Sequence, residues 1–213
     1  MKKLIFLAAL IVAGYFFKPQ ILGLFGDKAA FDDQGNPVAV LLTLSNCKKP
    51  CDDAFEFLAK RRINFKHYEV DENEQGQQIW KDYGHKNMFP TLIVGSDKVY
   101  GFDRSRFTSV LALNFGDAAL MPVERRLMAR HFYPDGYPKI VIYGTSWCPY
   151  CKKLREELLV SNIDFTEIDV ERASNRSALE QVFQITGYPT TYVGYERLGA
   201  AKSPQVIKAF KAY

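Results

Sequence analysis

The sequence predicts an α/β chain in which one small unit occurs twice in tandem behind an apolar N-terminus. Three observations carry this reading. Strand-like and helix-like stretches follow the order β-α-β-α-β-β-α, and then follow it again. A close pair of cysteines marks the first strand-to-helix junction of each copy, Cys47 with Cys51 and Cys148 with Cys151. A proline leads into the third strand of each: Pro90 lies 39 positions beyond Cys51, and Pro189 lies 38 beyond Cys151. Leu58 and Leu158 each fall seven residues after the second cysteine of their pair.

The chain has 213 residues, enough for one large domain or two small ones. Apolar residues make up 47% and charged residues 24%, as in ordinary globular proteins. The net charge is +4, and the basic residues form no long block. They read as solvated faces, and no nucleic-acid partner is expected.

Residues 1–25 read as a signal peptide or membrane anchor. Lys2 and Lys3 precede an apolar run from Leu4 to Phe17. A small-x-small cleavage site is lacking, Val12-Ala13-Gly14 being a poor one, which favours an uncleaved anchor. As a helix the run spans about 21 Å against the roughly 30 Å of a bilayer core. Extension to Phe25 closes the gap, with Lys18 snorkelling near the far interface. The lysines stay inside, so the remainder is expected membrane-anchored or exported on the periplasmic, extracytoplasmic side. Residues 26–37, with Gly, Asp, Asn and Pro, read as a linker.

The first copy, 38–113, starts with the strand "VAVLLTL" and the helix "PCDDAFEFLAKRR". "FKHYEV" is a strand, "ENEQGQQIWKDYG" a helix and "FPTLIV" a strand; "KVYGF" and "SRFTSVLAL" close the unit. The connector, 114–137, holds an amphipathic helix and a Pro-Gly turn, with Met128 and Phe132 as core residues. The second copy, 138–213, starts with the buried strand "KIVIY". A helix follows from Pro149, with Leu154, Leu158 and Leu159 on one face. "DFTEIDV" is a strand, "SNRSALEQVFQ" a helix, "YPTTYV" a strand and "SPQVIKAF" the last helix, with Ser203 as N-cap and Pro204 behind it.

A bare C-x-x-C fits a redox dithiol, half of a zinc site or a structural disulfide. Zinc needs two further ligands. His67, His85 and His131 all lie away from "CPYC" and read as surface or core residues. Redox exchange needs one exposed, partly ionised sulfur, since the thiolate is the nucleophile. Cys148 falls where a strand ends and a helix begins, and a helix start favours an anion. Pro149 fits the first helical turn, and Cys151 comes round to the same face. Lys152 and Lys153 add a small, screened positive charge. In the first copy "NCKKPC" has three intervening residues. Pro50 turns Lys49 away from helix, so the helix is expected to start at Pro50 and the extra residue to lie in the loop carrying Cys47. A redox pair, a fixed staple and a soft-metal site such as Cu(I) all stay open there.

The order of elements, with cysteines at the first junction and proline before the third strand, resembles the thioredoxin superfamily. "CPYC" is similar to the motif of dithiol glutaredoxins, and "TGYPT" and "MFPT" resemble their cis-proline segment. The resemblance covers residues 38–113 and 138–213. It implies two glutaredoxin-like domains, each a four-stranded mixed sheet with helices on both faces. It implies thiol-disulfide oxidoreductase activity in which Cys148 attacks, Cys151 resolves and Pro189 is cis beside them. Cys47, Cys51 and Pro90 are the corresponding residues of the first copy. Tyr188 would offer its backbone to an extended substrate segment, with Trp147, Pro149 and Tyr150 nearby and Phe89 in the equivalent place of the first copy. Glutaredoxins carry a basic residue three before the first cysteine; here Thr145 and Leu44 stand there. The glycine pair and acidic residues that complete the glutathione cradle are missing from "LGAAKSP" and only partly matched by Gly101 and Asp103. Protein thiols and disulfides, with a redox partner protein, are therefore expected as partners rather than glutathione. No cofactor and no metal are expected, glutathione being the one candidate left; the alternative readings are a non-catalytic tandem thioredoxin-like binding module, or a metal-handling protein that uses the Cys47/Cys51 pair.

Overall fold

The computed structural model describes residues 28–84 and 86–213. The anchor reading of residues 1–25, and His85, lie outside the described residues. Among the described residues no helix is long and apolar enough to cross a membrane. Two four-stranded mixed sheets, each flanked by helices, form a thioredoxin-like architecture.

The first sheet has the order β2-β1-β3-β4, from β1 (Ala39–Thr43), β2 (Phe65–Glu69), β3 (Thr91–Val94) and β4 (Asp97–Tyr100). β2 pairs parallel to β1, while β3 pairs antiparallel to both β1 and β4. The inner strands β1 and β3 are buried along their whole length, which is why they read as unbroken apolar runs. The edge strand β2 is only half-buried and carries polar residues. Helices α1 (Lys49–Ala59) and α2 (Glu74–Asp82) follow β1 and β2. The Asn73 side chain caps α2 by accepting from the Gly76 N–H at 2.8 Å. Gly76 is required there, because a Cβ would lie 2.7 Å from the Cβ of Tyr68. Val40, Leu42, Val70, Ile79, Tyr83 and Ile93 form the core over one face.

The second sheet repeats the plan as β6-β5-β7-β8, from β5 (Ile140–Gly144), β6 (Thr166–Asp169), β7 (Thr190–Val193) and β8 (Glu196–Gly199). Its helices are α5 (Pro149–Val160), α6 (Arg176–Phe183) and α7 (Ser203–Phe210). The first copy closes with α3 (Arg104–Phe115), capped by Asp103, and α4 (Pro122–Met128) lies between the copies. Ser203 is the first residue of α7 and not its cap; Lys202 takes that place. The Ser203 hydroxyl donates instead to Glu157 on α5 at 2.6 Å, and the Gln205 side chain accepts from the Lys202 N–H.

The stretch 28–37, read as linker, is folded. A 3₁₀ turn at Lys28–Ala30 and an isolated bridge between Phe31 and Pro37 lead into β1. The Ala30 N–H donates to the Tyr83 hydroxyl. The same device, Ala129–His131 and the Phe132–Pro138 bridge, leads into β5 at a constant offset of 101 residues. The repeat thus begins upstream of each first strand.

The chain forms two compact units, one of residues up to Cys51 with 64–100, the other of 52–63 with 101–213. Within the second, the Ser109 hydroxyl of α3 donates to the Tyr195 carbonyl at 2.6 Å and accepts from the Arg197 N–H at 3.1 Å, holding α3 on β8. Arg61 and Glu124 form a buried ion pair at 2.6 Å. Arg61 also donates to the Phe57 carbonyl and lies over the Phe57 ring. Met128 is in the core, as expected from the sequence; Phe132 is half-buried against the Tyr195 ring.

His131 is fully buried, a core histidine. Its Nδ1 faces the Gly194 carbonyl at 2.8 Å and its Nε2 the Tyr143 hydroxyl at 2.8 Å. Nδ1–H therefore donates and Nε2 accepts, a neutral imidazole. Burial pushes its pKa from 6.5 down to about 4, against the smaller upward pull of the Gly194 carbonyl. Above pH 6.5 neither the folded nor the unfolded state carries the proton. On acidification the unfolded chain takes it first, so stability is lost as pH falls from 6.5 to about 4. The loss from this group is about 3 kcal/mol. Urea unfolding across this range should show it, and His131→Gln should flatten that limb. A second prediction concerns the buried ion pair. Arg61→Ala strands the Glu124 carboxylate and should cost about 3–5 kcal/mol, while an Arg61→Met/Glu124→Leu double variant recovers most of this in the same assay.

Candidate active site

The second copy assembles its site where β5 gives way to α5. β5 ends at Gly144, and Thr145–Trp147 lead to Cys148, the N-cap of α5, with extended φ of −73° and ψ of 113°. The Cys148 Sγ accepts from the Cys151 N–H at 3.1 Å, so a sulfur does the work that a cap oxygen usually does. Pro149 occupies the first helical position, where its lack of a donor costs nothing. Cys148 and Cys151 are joined as a disulfide with Cα atoms 5.3 Å apart. The exposed sulfur expected of a nucleophile is not what this closed state presents. Cys148 is 3% exposed and Cys151 0%. Lys152 and Lys153 face solvent and pair with Glu156 and Glu157 one turn on.

The remaining residues of this site come from the sheet and the turns. The Tyr188–Pro189 peptide is cis. Thr190 steadies the turn before it by donating its hydroxyl to the Gly187 carbonyl. Tyr188 meets the Trp147 ring edge-on, with centroids 6.1 Å apart. The Trp147 indole N–H donates to Glu171 Oε2 at 2.9 Å, and burial together with the Glu171 charge raises the Tyr188 pKa. Trp147 and Tyr150 stay 65% and 73% exposed, an aromatic rim next to the dithiol in the chain. Glu171 gives no signal in the sequence, since it lies 24 residues from the indole it holds.

The first copy reaches a different arrangement from the same elements. Cys47 and Cys51 are also disulfide-bonded, with Cα atoms 5.7 Å apart. Lys48 takes a left-handed φ of 53°, which accommodates the extra residue. α1 starts at Lys49, one residue before the expected Pro50. The Cys51 N–H bonds to the Lys48 carbonyl at 3.0 Å, not to a sulfur. Cys47 thus stands outside the helix start, half-buried. Phe89–Pro90 is cis, and Thr91 holds the preceding turn through the Met88 carbonyl, as Thr190 does in the other copy. A cleft of about 280 Å³ is lined by Leu44, Val70, Asp71, Gln77, Trp80, Asn87 and Phe89. Ser45 ties it to the cysteine loop by donating its N–H and hydroxyl to Asp71. Asp103, considered for a glutathione grip, caps α3 by accepting from the Arg106 N–H and the Ser105 hydroxyl. Among the described residues no group of three or more His, Cys, Asp or Glu could hold a metal ion.

The glutaredoxin family model matches residues 140–198, from the start of β5 into β8. A glutaredoxin of Pseudomonas aeruginosa is 33% identical over 63 residues, covering 29% of this chain and 75% of that protein. Two glutaredoxin-named proteins of Mycobacterium tuberculosis are 42% identical over 48 residues, 22% of this chain; the chain spans about half of their length, 55%. Among solved structures, an alkylhydroperoxide reductase component of Enterococcus faecalis aligns over 81% of this chain and 90% of its own, at 17% identity and a TM-score of 0.31. The match to three quarters of the Pseudomonas protein, together with a family model laid over the strand, dithiol and cis-proline turn just described, shows that the chain belongs to the glutaredoxin family.

Proposed function

We propose that the protein exchanges disulfides with protein substrates through Cys148 and Cys151. The observation that carries this is the position of the Cys148 sulfur as cap of α5, accepting the Cys151 N–H. In the reduced protein that N–H and the free end of the helix stabilise a Cys148 thiolate. The thiolate attacks one sulfur of a substrate disulfide and expels the other as a thiolate. Cys151 then attacks Cys148 Sγ, releases the second substrate sulfur and closes the disulfide seen here. Two electrons pass to the substrate, and a redox partner protein restores the dithiol. Run in reverse, the same steps oxidise a substrate dithiol. The exchange itself calls for no bound cofactor.

Protein disulfides are favoured over glutathione by the residues around the pair. Thr145 stands where a glutathione-binding glutaredoxin has a cation, and it is buried. The exposed rings of Trp147 and Tyr150 suit a polypeptide, and the turn at Tyr188 suits an extended segment pairing as a short strand. The apolar residues 1–25 support a location at or beyond the membrane. Cell fractionation, with an impermeant thiol reagent applied from outside, tests that reading: labelling only after lysis removes it.

Cys148→Ser should abolish reduction of a protein disulfide such as that of insulin. Cys151→Ser should accumulate a mixed disulfide with the substrate, visible by mass spectrometry. Unchanged turnover in Cys148→Ser removes Cys148 as the nucleophile. In the same assay a Cys47→Ser/Cys51→Ser variant should retain most turnover, because Cys47 lacks the helix cap.

A further inference from the structure

The buried end of the dithiol has a neighbour that the exchange described above does not use. Gly144 ends β5 between two side chains. A Cβ placed there would lie 3.0 Å from Cys151 Sγ and 3.2 Å from Glu167 Oε1. The sulfur and the carboxylate oxygen therefore flank one point and are no more than about 6 Å apart. A single water or a side-chain rotation spans that distance. Glu167 sits on β6, which pairs parallel to β5, with Glu167 opposite Ile142. Arg155, four residues along α5 from Cys151 and so on the same face, reaches Glu167 Oε1 at 2.6 Å. Both members of that ion pair are about three-quarters buried, so the carboxylate is largely withdrawn from bulk solvent.

The proposal rests on the dithiol exchange set out above: we propose that Glu167 accepts the proton of Cys151 in the resolving step. Cys151 is fully buried, and burial in apolar surroundings works against its thiolate. In the mixed disulfide the Cys151 S–H proton passes to the Glu167 carboxylate. The Cys151 sulfur attacks Cys148 Sγ, the bond from Cys148 to the substrate breaks, and the substrate sulfur leaves as a thiolate that takes a proton from water. Glu167 later returns its proton to solvent. Proton and electron pair are thus both accounted for without a further reactant. Of the charged groups nearby, Arg155 on α5 is the countercharge already paired with Glu167 Oε1 at 2.6 Å. Asp169, two residues along β6, accepts from the N–H groups of Glu171 and Arg172 and pairs with Arg172 at 3.7 Å. Gly144 leaves the space between sulfur and carboxylate open, since even a Cβ there would lie a tight 3.0 Å from the Cys151 sulfur and 3.2 Å from the Glu167 carboxylate oxygen.

The test compares the full-length wild type with Glu167→Gln and Glu167→Asp, reduced and mixed with a peptide disulfide from pH 5 to 9. Rapid quenching and mass spectrometry follow mixed-disulfide formation by Cys148 and its resolution by Cys151 separately. In Glu167→Gln, formation should stay within twofold of wild type. Resolution at pH 7 should slow at least about tenfold and rise with unit slope in pH, while the wild-type profile is flatter. Glu167→Asp keeps a carboxylate and should keep the wild-type shape at a reduced rate. A Gln variant that resolves as fast as wild type with the same profile overturns the proposal, as does an Asp variant whose profile follows Gln. If the wild type itself forms no mixed disulfide, the dithiol reading falls as well; if it forms and resolves one and Gln matches it, only the role of Glu167 falls.

Discussion

The N–H of Cys151 points at the sulfur of Cys148, and this 3.1 Å hydrogen bond ties that sulfur to the open end of α5. A helix start leaves several N–H groups without partners and a local excess of positive charge. Placing a sulfur there satisfies one of those groups and favours an anion at the same atom. Everything else at the site serves that placement. β5 delivers the chain to the junction from the middle of a sheet, where it cannot drift. Pro149 starts the helix without a donor to lose, and Gly144 leaves room for the second sulfur to sit against the strand.

The same scaffold occurs twice, and one residue separates the geometry of the two cysteine pairs. The offset of 101 holds from the bridge before each sheet, through the first strand, to Cys47 and Cys148. At the second cysteine it falls to 100. The additional residue is absorbed by a left-handed Lys48, and the Cys51 N–H turns to a carbonyl. The first pair thereby keeps its bond but gives up its helix cap. Around it, Leu44, Val70, Trp80 and Phe89 make an apolar cleft, with Asp71 occupied by Ser45. The turns holding the cis prolines remain alike, each braced by a threonine hydroxyl on a carbonyl three residues back.

Polar groups buried in the second unit are mostly paired within it. Arg61 is held by Glu124 and the Phe57 carbonyl, Ser109 by the backbone of β8, and His131 by Gly194 and Tyr143. Such groups add little net stability when paired and cost much when one partner is lost. Their effect is to specify one arrangement. Ser109 meets both Tyr195 and Arg197, and residues 101–115 belong to the same compact unit as the second sheet.

Most strands and helices were legible because each depends on its own neighbours in sequence. Inner strands show as apolar runs, α5 as leucines at helical spacing behind a proline, and the repeat as paired spacings. The dithiol and the cis-proline turns were legible for the same reason, as short motifs. Errors arose where a distant group competed with a local pattern. Ser203 looked like a cap until Glu157 claimed its hydroxyl, and residues 28–37 looked like linker until the Phe31–Pro37 bridge and Tyr83 held them. The burial of Cys148 and the places of Glu171 and Glu167 were not legible at all. Sequence alone therefore determined the fold class, the repeat and the paired cysteines with their proline turns, all written in contacts between near neighbours. Tertiary structure alone decided which sulfur caps a helix and which carboxylate lies beside its partner. Those depend on strand register and on the closing of the chain over tens of residues, where no local pattern reaches.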